Sequence, residues 1–222
     1  DSFSDGGRYL SPDDALRQAE ALIKAGADIL DIGGESTRPG ADPVSEEEEL
    51  RRVLPVVTRI AARFDCPVSI DTAKAEVARA ALEAGACIVN DVTGFAAGES
   101  MAALVAEAKA GAVLMHNARL YRDARPDGAG DGIKAILAFW QRSLQLAFQA
   151  GLASDQLILD PGIGFGVTTA ESLAMIRRLP ELKTLDLPIL IGPSRKRFIG
   201  EILQVPAEER LMGTAAAVAV AV

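Results

Sequence analysis

The chain has 222 residues, nearly half of them hydrophobic (49%), which suits one large domain or two small ones with a sizeable core. With 23 Lys and Arg against 31 Asp and Glu the net charge is −8, which argues against nucleic acid as a general partner, since phosphate binding needs a basic face. Aromatic residues are scarce at 5%, and Ala, Val, Ile and Leu dominate, a balance that favours helices packed on buried parallel strands over a β-sandwich.

In chain order, short apolar runs occur at residues 28–32, 67–70, 87–89, 112–115, 157–159 and 188–191. They are rich in Ile, Val and Leu and lack in-out alternation, so each reads as a strand buried on both faces. Helical segments lie between them. Ser11 is a plausible N-cap, with Pro12 at the first helical position and Asp13 and Asp14 in the first turn. Ser45 precedes the acidic run Glu46, Glu47, Glu48 and Glu49, which reads as a capped helix start with a solvated acidic face rather than a metal site.

Helix-ending glycines are read at Gly26, Gly85, Gly111 and Gly151, each before or close to a strand. Cys66 and Cys87 are too few for a zinc site or disulfide framework and read as buried, reduced thiols. Residues 117–130, with Arg, Asp, Pro and Gly, read as a mobile loop. No stretch resembles a signal peptide or membrane span; the final apolar run, residues 215–222, is too short to cross a bilayer. No interdomain linker is visible, so residues 1–222 read as one domain. The chain starts abruptly at Asp1 without an initiator Met, and both ends read as cut.

Six strands fit a doubly wound sheet or a barrel; the placement of polar residues favours the barrel. The runs end in Asp31 to Gly40, Asp71-Thr72, Asn90-Asp91, Met115-His116, Asp160 to Gly166, and Gly192-Pro193-Ser194-Arg195-Lys196. The carboxyl ends of the strands of a parallel barrel converge on one mouth, where such folds carry their active sites. A doubly wound sheet concentrates its site at one switch point instead. An Asp or Asn after a strand can also simply cap the next helix. The glycine-rich run at 162–166 lacks a dinucleotide fingerprint and no Walker lysine follows; it is either a tight turn or a place where backbone approaches a flat ligand beside Phe165. At the first strand's end, Arg38 beside Thr37 suits an anion or an aromatic acid.

The ordered set DSFSDGG (1–7), DIGGESTRPG (31–40), SIDT (69–72), ND (90–91), LMH (114–116), LDPGIGFG (159–166) and SRK (194–196) resembles the dihydropteroate synthases, within the pterin-binding enzymes, over essentially the whole chain. The resemblance implies a (β/α)8 TIM barrel. It implies a cytoplasmic transferase of folate biosynthesis, a homodimer and sulfonamide target. The reaction implied condenses 6-hydroxymethyl-7,8-dihydropterin diphosphate with p-aminobenzoate to give 7,8-dihydropteroate and diphosphate, with Mg2+ assisting. The substrates are small molecules; neither nucleic acid nor membrane is a partner.

Carried over by the resemblance, Asp160 takes the pterin's 2-amino and ring N–H donors, and Asp71 and Asn90 contact other ring nitrogens. Lys196 donates to ring acceptors, Met115 and Phe165 flank the ring, and Gly192 lies beside it. Phe3, Thr37, Arg38, Pro39 and Ser194 serve the p-aminobenzoate and diphosphate side, with Lys196 shaping that pocket too. Diphosphate leaves first and the arylamine then attacks, so Lys196, Arg38 and Asp71 act by positioning and charge stabilisation. His116 lacks a paired nucleophile and is not read as catalytic.

The family's first strand, with a metal-contacting Asn, would lie upstream of Asp1, and its eighth strand, with an Arg-x-His motif for diphosphate, downstream of Val222. No metal ligand is therefore assigned within residues 1–222, and those residues alone are expected to be nearly inactive. Val167, Asn117-Ala118-Arg119 and Arg197 depart from the usual family residues. Two alternatives are a pterin-binding methyltransferase, against which the GGESTRPG loop and SRK cluster argue, and a non-catalytic pterin-binding fragment.

Overall fold

The computed structural model describes residues 12–36, 42–120 and 131–222. Strands and helices alternate along the chain: α1 (Pro12–Lys24), β1 (Leu30–Gly33), α2 (Glu46–Arg63), β2 (Val68–Asp71), α3 (Ala75–Glu83), β3 (Ile88–Asp91), α4 (Glu99–Glu107), β4 (Gly111–Met115), α5 (Gly132–Gln149) and β5 (Leu157–Asp160). After these come α6 (Thr169–Arg177), α7 (Leu179–Leu182), α8 (Arg197–Leu203) and α9 (Leu211–Ala221).

Every pairing in the sheet is parallel, and the strand order is β1-β2-β3-β4-β5. Each strand therefore lies beside the next one in sequence, with no reversal. A doubly wound sheet needs such a reversal to place helices on both faces; a barrel wall does not. The wall is not closed within the described residues. The sixth expected strand, at 188–191, forms only a single parallel bridge, Leu159 to Ile189, held by Leu159 N to Pro188 O and Leu190 N to Leu159 O at 2.9 Å each. It follows β5 in order, and no strand among the described residues pairs its far side.

The strands are apolar on both faces because helices cover the outside and side chains fill the inside. Val68, Ile70, Val89, Ala112, Leu114, Leu157 and Leu159 are all buried. The fully buried Trp140 of α5 donates its indole N–H to the Leu114 carbonyl at 3.2 Å, fixing that helix against β4.

Helix starts follow the sequence closely. Pro12 opens α1 with Asp13 and Asp14 in its first turn, while Ser11 lies outside the described residues. The Ser45 hydroxyl accepts from Glu48 N at 3.2 Å and caps α2. Three expectations need correction. The acidic run is not wholly solvated: Glu49 is only 1% exposed, because it falls on the stripe of α2 that also buries Val53, Val57 and Ile60. The left-handed residue after α4 is Lys109 (φ 53°), not Gly111, which already belongs to β4; Gly26, Gly85 and Gly151 do take positive φ. Cys87 is exposed and Cys66 half-buried, because each precedes its strand at the outer rim of the sheet rather than within it.

Candidate active site

The strand register sets the side chains of the carboxyl-terminal mouth. Gly33 of β1 pairs with Asp71 of β2, Asp71 pairs with Asn90 of β3, and Met115 of β4 pairs with Asp160 of β5. Neighbouring strands thus deliver a row of polar groups to one rim. The Asn90 amide reaches across β2 and donates to Asp31 Oδ2 at 3.1 Å. Asp91, next to Asn90, does something else. It is buried, and its carboxylate accepts from Thr93 N, Thr93 Oγ1 and Phe95 N at 2.8 Å each, so it serves as the cap of a turn.

Asp160 is 8% exposed, and Gly162 N donates to its Oδ1 at 2.7 Å. Gly162 adopts φ 73°, and a Cβ there would lie 1.8 Å from the His116 carbonyl oxygen. The glycine is therefore a steric requirement for aiming Asp160. Gly162→Ala should cost roughly 2 kcal/mol or more. That corresponds to a fall in Tm of roughly 4–8 °C for a chain of this size. A thermal scan showing no change would contradict this packing.

The turn also places Phe165 against Lys196. The Lys196 ammonium stands 4.2 Å from the ring centroid, and Arg119 approaches the same ring at 5.6 Å. Lys196 is 7% exposed and precedes α8; its stem runs past Gly164, where a Cβ would come within 3.1 Å of Lys196 Cδ. Met115 is buried at the end of β4, and His116, also buried, packs edge-on against Phe139 at 5.2 Å. Gly192 has no atom within 4 Å of where a Cβ would stand, so space opens beside it, and Ser194 is exposed.

Burial pushes the Asp160 carboxyl up to about 6, against the Gly162 amide and the charge of Lys196, with Asp31 adding to the rise. Burial also holds Asp71 well above the usual carboxylate range, and the carboxylates of Asp31, Glu49 and Asp91 reinforce it. Asp31 keeps a path to solvent, yet the protein atoms crowding the mouth raise its carboxyl despite hydrogen bonds from Ser69 and Asn90. Burial lowers the Lys196 ammonium to about 8, opposed by Asp160 and Asp71. Between about 6 and about 8, Asp160 and Lys196 are therefore both charged.

Of the residues expected from sequence, the structure brings together Asp71, Asn90, Met115, Asp160, Phe165 and Lys196, while Gly192 and Ser194 lie in the segment that leads to Lys196. Phe3, Thr37, Arg38 and Pro39 lie outside the described residues. Two members were missed. Asp31 joins the carboxylate row, and its signal was a charge inside an otherwise apolar run; Arg119 reaches Phe165 and had stood out only as a departure from the usual residues. No cluster of three or more His, Cys, Asp or Glu side chains fit to hold a metal exists among the described residues.

The chain matches the pterin-binding enzyme family over residues 1–222. It is 48% identical over 220 residues to the dihydropteroate synthase of Bacillus subtilis, covering 98% of this chain and 74% of that protein. The crystal structure of the Yersinia pestis dihydropteroate synthase with a sulfonamide drug complex superposes with a TM-score of 0.92 at 40% identity, covering 100% of this chain and 80% of that one. A dihydropteroate synthase from Clostridium difficile, in the presence of pteroic acid, superposes with a TM-score of 0.88 at 42% identity, covering 98% and 81%. With a match to the family along residues 1–222 and crystal structures of 40% and 42% identity superposing at TM-scores of 0.92 and 0.88, this chain belongs to the pterin-binding enzyme family and carries its TIM-barrel fold.

Proposed function

We propose that the protein is a dihydropteroate synthase, condensing 6-hydroxymethyl-7,8-dihydropterin diphosphate with p-aminobenzoate in folate biosynthesis. The observation that carries this reading is the row Asp31, Asp71, Asn90 and Asp160. Burial holds its three carboxyls above their usual range. A pterin edge, with a 2-amino group beside ring N–H groups, offers donors to such carboxyls. The amide of Asn90 can both donate and accept, matching a mixed edge. Met115 and Phe165 offer apolar surface to the flat ring, and Lys196 offers a cation to its acceptors.

The chemistry asks little of a general base. Departure of diphosphate leaves a cationic exocyclic carbon conjugated with the pterin, and the arylamine attacks it. Lys196 and Asp71, with Arg38 at the second-substrate side, hold the reactants and stabilise charge. The magnesium implied for this reaction is proposed as an ion carried with the diphosphate. Phe3, Thr37, Arg38, Pro39 and Ser194 are proposed for the p-aminobenzoate pocket.

We further propose residues 1–222 as a single barrel domain of a cytoplasmic homodimer. No helix among the described residues is long and apolar enough to cross a membrane. In support of pairing, α9 buries none of its residues and leaves Leu211, Met212, Val218 and Val220 exposed.

Sulfonamides share the aryl-amine shape of p-aminobenzoate, so they should inhibit the full-length protein competitively against p-aminobenzoate and not against the pterin diphosphate. Steady-state kinetics decide this; inhibition insensitive to p-aminobenzoate concentration would overturn the assignment of the second pocket.

A further inference from the structure

Arg195 stands directly before Lys196 and takes a φ of 49°, in the left-handed region that a residue with a Cβ seldom adopts. Such a backbone persists only where its surroundings hold it. Both backbone polar groups of Arg195 are held. Its N–H donates to Thr214 Oγ1 at 2.9 Å, and its carbonyl accepts from Arg210 Nη1 at 3.0 Å. Arg210 is the N-cap residue of α9, and Thr214 lies one turn on. The Thr214 hydroxyl spends its proton on the Arg210 carbonyl at 3.0 Å, which leaves its oxygen to accept from Arg195. Arg210 Nε also donates to the Val205 carbonyl at 3.3 Å.

Close packing of α8 on α9 puts both residues within reach. A Cβ at Gly200 would lie 2.2 Å from the Arg210 guanidinium, and one at Gly213 would lie 2.4 Å from Ile199 Cγ2. The next peptide is that of Lys196, whose N–H donates to the Pro193 carbonyl at 3.2 Å and whose carbonyl accepts from Ile199 N at 3.1 Å. From this turn the Lys196 side chain passes Gly164 and ends 4.2 Å from the Phe165 ring centroid. Turning the Arg195 peptide out of its left-handed state would swing the Cα–Cβ direction of Lys196 and carry the ammonium off that ring.

We propose that Arg210 and Thr214 are positioning residues that clamp the left-handed Arg195 by its N–H and its carbonyl and so aim Lys196 at the pterin. This rests on the reading of the protein as a dihydropteroate synthase, in which Lys196 meets the pterin ring. Arg210 and Thr214 act through Lys196 and not on a substrate.

The experiment uses the full-length protein. Arg210 packs directly on Gly200, so its removal can loosen α8 against α9 for an unrelated reason. The test is therefore Thr214→Val, which keeps the shape and removes the hydroxyl, beside Thr214→Ser, which keeps the hydroxyl. Two readouts need no turnover. Hydrogen exchange of the Arg195 amide should quicken in Thr214→Val. The Lys196 ammonium, followed by the nuclear magnetic resonance of its Cε, should titrate at about 8 in the wild type and nearer the ordinary lysine value in Thr214→Val. Burial is what holds it down, with Arg119 in support, while Asp160 and Asp71 act the other way. In turnover, kcat/KM should fall about tenfold, the effect of leaving one backbone donor without its partner, and Thr214→Ser should restore most of it. In a Lys196→Met background, Thr214→Val should cost less than about twofold more. Unchanged Arg195 exchange or an unchanged Lys196 titration overturns the clamp. So does a full tenfold loss in the Lys196→Met background, which would mark a merely structural role. A wild-type protein that forms no dihydropteroate sinks the functional reading instead, while exchange and titration still decide the clamp.

Discussion

Asp160→Asn should weaken binding of a pterin analogue by about 1.5–3 kcal/mol, on the order of 10- to 100-fold. The variant keeps the shape of the side chain but removes the charged acceptor that faces the ring's paired donors. The structure also fixes how the wild type responds to pH. Burial raises the Asp160 carboxyl to about 6, so pterin affinity should hold through neutral pH and fall as pH drops below about 6, where a proton occupies the acceptor. The sign follows because the ligand prefers the ionised form; Asp160→Asn should flatten that acid limb. Calorimetry across pH 5 to 8 checks both points, and equal affinities for the two proteins would remove Asp160 from the pterin edge.

Lys196→Met should lower kcat/KM about 100-fold or more, the usual loss when one preorganised charge-stabilising donor goes. Met preserves the slim stem that passes Gly164 but removes the ammonium 4.2 Å from the Phe165 ring. After the hydrogen bond from Gly162, the charge on Lys196 also pulls the Asp160 carboxyl down against burial. Without it that carboxyl should rise further, and the acid limb of pterin binding should move to higher pH. On the alkaline side, wild-type activity should decline above about 8 as Lys196 loses its proton, and the variant should lack that limb. Steady-state kinetics over this pH range test the assignment; a variant with the wild-type profile would contradict it.

The polar rim was legible because Asp71, Asn90 and Asp160 each end a solid apolar run, and the parallel register then brings those ends together. Asp91 carries an equal signal and is a turn cap instead; sequence cannot separate the two, since both roles want a carboxylate after a strand. Glu49 was hidden inside four consecutive glutamates that suit a helix start, although its spacing to Val53, Val57 and Ile60 marks the buried stripe. Its partner Lys74 is 25 residues away, and that lysine also meets Glu35, 39 residues from it; nothing local in the chain announces pairings at those distances. The sixth strand was readable as an apolar run, but among the described residues it forms a single parallel bridge, Leu159 to Ile189, rather than a ladder. Cys87 misled because an apolar neighbourhood in sequence does not say where a strand enters the sheet.

The central claim is that these residues bring a pterin diphosphate and an arylamine together. Its most direct test is incubation of the full-length protein with 6-hydroxymethyl-7,8-dihydropterin diphosphate, p-aminobenzoate and magnesium, following diphosphate release and 7,8-dihydropteroate by chromatography. Diphosphate and dihydropteroate should appear in equal amounts and only when p-aminobenzoate is present. Pterin binding without either product, or transfer of a methyl group from methyltetrahydrofolate to a corrinoid instead, would contradict it.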